Sequence, residues 1–220
     1  RGSGLNSLAR GDVKDWQTWV TDVESYLETL PSDRYRILLG SGWGGILAVA
    51  VARHRPAYLH GIGLLCPSLF SKRAPNALQR TALRLASMVG LNNMRVSIPL
   101  TGPARFTDSP SAQRYVAQDT LALRKMTVRM ARANLQLTRF ATEDPRQILI
   151  PVLLMMAGND QITDNARARQ FVEKIGHEDN RVIEYPDASH TLEFESDPSG
   201  YFEDLASWCR DMASRGNQTR

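Results

Sequence analysis

Apolar residues at Val13, Trp16, Val20, Val23, Leu27 and Leu30 recur by threes and fours. That spacing puts them on one stripe of an amphipathic helix, which Pro31 closes because it offers no amide hydrogen. Tyr35–Leu39 (YRILL) reads as a short strand, cut off by the run Gly40-Ser41-Gly42-Trp43-Gly44-Gly45. Ile46 to His54 is apolar on nearly every side, as in a buried helix, and Ile62 to Leu65 is a second strand closed by Cys66-Pro67. The period then lengthens. Leu78, Ala82, Leu85 and Val89 form one helical stripe, and Leu123, Met126, Met130, Ala133 and Leu137 another. Between them Pro99, Pro103 and Pro110 impose irregular chain. Strands return at Pro151 to Ala157 and Arg181 to Tyr185, around a helix near Asn165 to Ile175 that Gly176 ends. Tyr201, Leu205, Trp208 and Met212 mark a closing helix.

Strands alternating with helices imply a parallel sheet covered on both faces, the α/β class. The block from about Leu69 to Arg146 interrupts that alternation and shows no strand pattern. It is expected to be an almost wholly helical cap, inserted between two strands and lying over their carboxyl ends. The chain thus divides into 1–67, the first part of the core; 68–147, the helical cap; and 148–220, the second part of the core.

Composition changes this picture little. The 220 residues, 42% hydrophobic and 23% charged, suffice for one folded core with an insert. The longest aliphatic stretch, Ile46 to Ala52, is too short to span a bilayer, so no transmembrane segment is expected. No basic-then-apolar leader is present, and a cytoplasmic protein is the default expectation. Cys66 and Cys209 fit no metal or redox spacing and read as buried apolar residues. No metal and no cofactor is expected. The net charge of +4 conceals an asymmetry: Ser68 to Gln147 holds 13 Lys and Arg against four Asp and Glu. Such a segment suits anionic substrates or lipid headgroups, although solvated arginine-rich helix faces account for it as well. No aromatic residues interleave with the arginines, so no nucleic-acid partner is expected.

Gly40-x-Gly42-x-x-Gly45 follows a strand and opens a helix, formally a dinucleotide fingerprint. That fingerprint needs an acid about 20 residues on for the ribose, and the next acid after Gly45 is Asp108. Trp43 would also crowd the pyrophosphate. The same residues suit a sharp strand-to-helix elbow, where the positions two before and two after the central one must be small. Gly40 and Gly44 fill those positions, and the central slot is Gly42.

Gly40 to Gly45 resembles the GxSxGG elbow of the monoacylglycerol lipase and lysophospholipase branch of α/β-hydrolases. Trp43-Gly44-Gly45 looks like the SWGG elbow of serine hydrolases in that branch, with Gly42 where the serine stands. Arg1-Gly2-Ser3-Gly4-x-Asn6-Ser7 is similar to the RGxGxS loop after the family's fourth strand. Ala157-Gly158-Asn159-Asp160 resembles the acid loop, and Tyr185-Pro186-Asp187-Ala188-Ser189-His190 the histidine loop. Phe106-Thr107-Asp108 and Asp119-x-Leu121-x-Leu123-Arg124 look like the helical lid. The resemblance implies an α/β-hydrolase fold lacking its N-terminal strands, with Asp160 as triad acid, His190 as base and the Trp43 amide as an oxyanion donor. Taken alone, Asp160 could be a helix-capping loop aspartate and His190 a surface histidine; the order of four motifs argues for the pair. His54, His60 and His177 are left as structural or solvated.

Gly42 carries no side chain, so no acyl-enzyme can form there, and Ser41 points elsewhere on so sharp a turn. Glycine nevertheless suits a positive-φ elbow better than serine does. The chain opens on arginine rather than methionine, so it is expected to be processed, excised from something longer, or to begin where order begins. The resemblance then places four strands and the second oxyanion donor upstream. Tyr35–Leu39 would be a sheet edge that an upstream segment or a protein partner covers. Three functions fit. The first is a carboxylic ester hydrolase of the acylglycerol or lysolipid type, inactive or truncated in this form. The second is a pseudo-hydrolase holding an apolar small molecule under the cap. The third uses Asp160 and His190 as a general base on water.

Overall fold

The computed structural model describes residues 1–98 and 102–218, with side chains to residue 215. Helix α1 (Trp16–Thr29) starts where the Asp15 carboxylate accepts the Thr18 amide at 2.9 Å, and it buries Trp19, Val20 and Leu27. Strand β1 runs over Ile37–Ser41, two residues later than the apolar run suggests. The shift has a local cause. The Arg36 amide donates to the His60 ring nitrogen at 3.0 Å, so it is engaged before the strand begins. Helix α2 (Trp43–His54) follows the elbow directly, and β2 (Gly61–Leu65) is buried throughout.

The remaining core elements are β5 (Val152–Ala157), α6 (Asn165–Glu173), β6 (Arg181–Tyr185) and α7 (Ser199–Gln218). The insert supplies α3 (Ala77–Met88), β3 (Arg95–Ser97), α4 (Pro110–Gln118), β4 (Lys125–Thr127) and α5 (Val128–Thr142). Four strands form one parallel sheet in the order β1-β2-β5-β6, with β1 at one edge. Alternate residues of β5 serve opposite faces, as the pleat requires. Val152, Leu154 and Met156 join α1, α2, α5 and α6 in one core cluster. Leu153, Met155 and Ala157 join Trp208 and Met212 of α7 in the other. Trp208, fully buried, lies over Gly61 and Gly63; a Cβ at Gly61 would already meet its ring at 3.2 Å.

The insert departs from expectation. It is not almost wholly helical: β3 and β4 pair antiparallel, with Val96 opposite Met126. Three residues per strand leave too little alternation to see in sequence, and Met126 falls by chance on the helical period of Met130, Ala133 and Leu137. The helix starts only at Val128, where the Thr127 hydroxyl accepts the Met130 amide at 3.0 Å. Nor does the whole insert lie over the strand ends. Helix α5 buries Val128, Met130, Ala133, Leu137 and Ala141 in the same cluster as α1 and α2, and Phe140 stacks on Trp16 at 4.5 Å. Helix α3 is the opposite case. It is well capped by Asn76 and Gln79, yet Leu78, Leu85 and Met88 stay exposed. Cys66 is buried as expected, but Cys209 is only half-buried. Among the described residues no helix is long and apolar enough to cross a membrane.

Candidate active site

Parallel strands deliver their carboxyl ends, and the loops that follow, to one end of the sheet. The elbow after β1 is the sharpest of these turns. Gly42 sits at φ 52° and ψ −116°, outside the regions open to L-residues without strain. Gly40 and Gly45 make the turn possible: a Cβ on Gly40 would lie 2.4 Å from the Gly44 carbonyl oxygen and one on Gly45 2.6 Å from the Pro67 Cβ, whereas Gly44, expected to be held small, would place a Cβ in open space. The Gly42 amide donates to the Leu65 carbonyl at 3.0 Å, tying the elbow to the end of β2. Trp43 opens α2. Its indole turns away from the sheet end, donating to Asn134 at 2.6 Å and meeting the edge of Trp19, while its amide remains in the first turn of the helix.

The loop after β5 carries Asp160 and the loop after β6 carries His190, and the backbone locks the two together. The Gly158 amide donates to the Tyr185 carbonyl at 2.8 Å and the Asn159 amide to the Ala188 carbonyl at 3.0 Å. Only glycine fits at 158, because a Cβ there would fall 2.1 Å from the Pro186 carbonyl oxygen. His190 Nδ1 and Asp160 Oδ2 are 2.7 Å apart, both residues buried. Asp160 Oδ1 accepts the amides of Ile162 and Thr163 at 2.7 and 2.8 Å. Burial pushes the Asp160 carboxyl up, but the hydrogen bond and charge of His190, with these amides, outweigh it and hold the group below the usual carboxylate range. The other ring nitrogen, Nε2, faces the elbow, 3.7 Å from where a Cβ on residue 42 would sit. Gly42, Asp160 and His190 therefore meet.

The insert reaches this point through two short segments. Lys72 donates from Nζ to the Asp160 carbonyl at 2.5 Å. The Thr191 amide donates to the Phe106 carbonyl at 2.8 Å, the Ser189 hydroxyl donates to Asp108 at 3.1 Å, and Phe106 stands edge-on to His190. An open cleft of about 770 Å³ lies beside it, between Asp108–Tyr115 and Glu193–Ser196. The other histidines stand apart from the site. His54 pairs with buried Glu24 at 2.7 Å, His60 stacks on Tyr35, and His177 accepts the Asp179 amide.

Two residues at the sheet end were not singled out as site residues from the sequence. Cys66, past β2, has φ 43°, and its sulfur lies within 4.8 Å of ligand atoms of Asp160 and His190. Three such ligands could in principle bind a metal ion. However, burial and the nearby Asp160 push the thiol up to about 12, and both Asp160 oxygens already accept hydrogen bonds. The arrangement fits an acid–base pair beside a neutral thiol better than a metal centre. Ser68 is the second; its hydroxyl lies 3.9 Å from the same Cβ position at residue 42. Neither carries a sequence signal, because only the neighbouring β1 and β2 ends bring them in.

A parallel sheet with an elbow, an acid loop and a histidine loop at its carboxyl end defines an α/β-hydrolase, here of the monoacylglycerol-lipase-like branch. The chain belongs to the hydrolase family described as serine aminopeptidase, S33, whose model matches residues 1–197. It is similar to Phospholipase YtpA of Bacillus subtilis, 25% identical over 87% of this chain and 74% of that protein. It is also similar to the mouse monoglyceride lipase, 26% identical over 87% of this chain and 64% of the lipase. Among solved structures, the Paleococcus ferrophilus monoacylglycerol lipase superposes with a TM-score of 0.84 at 20% identity, covering 97% of this chain and 80% of that one. A soluble variant of the Saccharomyces cerevisiae monoglyceride lipase gives 0.80 at 16% identity, over 97% and 75%.

Proposed function

We propose that this chain is a carboxylic ester hydrolase scaffold for acylglycerol- or lysolipid-like substrates in which the covalent route through position 42 is closed. The observation that carries the reading is the Asp160–His190 pair, aimed by Nε2 at a position-42 Cβ only 3.7 Å away, on a backbone bent to φ 52°. In that geometry a hydroxyl at 42 would pass its proton to His190, and Asp160 would orient the ring and stabilise its cation. The Trp43 amide, at the start of a 12-residue helix, would donate to the oxyanion, favoured by the helix dipole. Gly42 removes the first of these parts and leaves the other two. The relatives named as lipases and a phospholipase support an apolar acyl ester as the substrate class.

The test is Gly42→Ser. It should bind a fluorophosphonate covalently at position 42 and hydrolyse p-nitrophenyl butyrate faster than the unaltered protein. If it does neither while folded, the Asp160–His190 pair does not activate a hydroxyl at position 42. The non-catalytic reading, a pocket that holds an apolar ligand under the insert, is favoured by Gly42 itself. It would be supported by a rise in Tm on titration with monoacylglycerol ethers, in a folded Gly42→Ser variant that turns nothing over.

A further inference from the structure

The sheet topology places a second hydroxyl beside the catalytic base. Strand β2 lies parallel to β1, with Leu65 opposite Ser41, so the residues after β2 emerge beside the elbow. The chain turns there at Cys66, whose φ of 43° is unusual for a residue with a side chain; such geometry persists only where the surroundings enforce it. Pro67 packs so closely on the elbow that a Cβ on Gly45 would meet its Cβ at 2.6 Å. The Ser68 amide then donates to the Gly42 carbonyl at 2.9 Å. These constraints fix Ser68 with its Oγ 3.9 Å from the Cβ position of residue 42, a point that His190 Nε2 also approaches, to 3.7 Å. Among the described residues neither Oγ nor Nε2 has a protein hydrogen-bond partner.

From this juxtaposition we propose that Ser68 is a stand-in nucleophile, activated by His190 across the space that a side chain at residue 42 would fill. The proposal rests on reading the site as one for acyl esters. The other candidates around the base are unsuited. The Cys66 thiol is held neutral, the Ser189 hydroxyl is donated to Asp108, and Ser41 is an exposed strand residue. In the step itself the Ser68 oxygen bonds to the ester carbonyl carbon while its proton passes to His190 Nε2. The tetrahedral oxyanion collapses, the ester C–O bond breaks, and the alcohol leaves with that proton. Water then attacks the acyl-Ser68 ester, gives its proton to His190, and releases the carboxylic acid as Ser68 takes the proton back. Phosphonylation by a fluorophosphonate follows the first half of this path, with fluoride as leaving group.

The experiment is peptide mapping by mass spectrometry after reaction of the full chain with a fluorophosphonate probe, with labelling rates compared among variants. The adduct should map to Ser68 and vanish in Ser68→Ala. It should form at least about a hundredfold more slowly in His190→Gln, the low end of what a general base contributes. Gly42→Ala keeps Ser68 but fills the shared space with a methyl 3.9 Å from its hydroxyl and 3.7 Å from Nε2, so it should also suppress the adduct; melting curves establish that each variant is folded. Three results would overturn the proposal: no adduct at Ser68 while Gly42→Ser is labelled at position 42, an adduct indifferent to His190→Gln, or one undiminished in folded Gly42→Ala. No adduct in either the unaltered protein or Gly42→Ser would sink the acyl-ester reading instead.

Discussion

Restoring serine at position 42 should move stability and reactivity in opposite directions. A residue with a side chain at φ 52° and ψ −116° is strained by about 1–3 kcal/mol. There is no steric term to add, because the new Cβ would find its nearest neighbours at 3.7 and 3.9 Å, which is ordinary contact. Gly42→Ser should therefore lose about 2 kcal/mol, or roughly 4–8 °C in Tm for a domain of this size. Gly42→Ala should lose a similar amount. Gly176→Ser, at φ 67° with open space around it, provides a strain control away from the site. Only Gly42→Ser should gain, because its hydroxyl lies one bond beyond the Cβ that Nε2 already approaches. Differential scanning fluorimetry gives the first quantity, and fluorophosphonate adducts resolved by position give the second. If Gly42→Ser is at least as stable as the unaltered protein, the elbow strain deduced here is wrong.

Three further outcomes can be checked. Asp160 titrates below its ordinary range in the fold, so its ionised form adds stability above the unfolded pKa of about 3.9, and that stability is lost as pH falls through the depressed value. Urea melts should show the protein well ahead of Asp160→Asn at pH 7, with the gap closing toward pH 2; a gap independent of pH would contradict the pairing. Gly158→Ala drives a methyl into the Pro186 carbonyl and should cost about 3 kcal/mol. In a Gly42→Ser background it should also abolish labelling by parting the two loops. Trp208→Ala empties a fully buried site and should cost about 3–5 kcal/mol by urea titration, with no hydrogen bond to lose because its Nε1 has no partner among the described residues.

The parts that were legible in the sequence are those with long or sharply punctuated patterns. The stripe from Trp16 to Leu27, the buried runs at 46–52 and 152–157, and the elbow glycines each reflect a constraint that acts within a few residues of chain. The meeting of Asp160 with His190 was legible only through the resemblance, since nothing local brings residues 30 apart to 2.7 Å. The β3–β4 ribbon was missed because three-residue strands carry almost no periodicity. Helix α3 shows the reverse limit. Leu78, Leu85 and Val89 have the spacing of a buried face, yet they lie open, and spacing cannot reveal whether anything packs on a stripe. Ser68 was invisible for the same reason: its importance comes from β2 lying beside β1.

The way the acid and base loops are held has a consequence for descent. Asp160 and His190 are clasped by Gly158, Pro186, Ala188 and the amides of Ile162 and Thr163, none of which depends on the residue at 42. A lineage that loses its serine there gives up the covalent route through position 42 while its fold loses nothing, and relaxation of the elbow even rewards the change. The paired acid and base then persist because removing either leaves the other buried without its partner, whether or not the site is ever used. Their retention is therefore no record of selection for activity. It also makes the loss reversible: a glycine codon ending in a pyrimidine becomes a serine codon by a single base change, and the acid and base would be waiting for it.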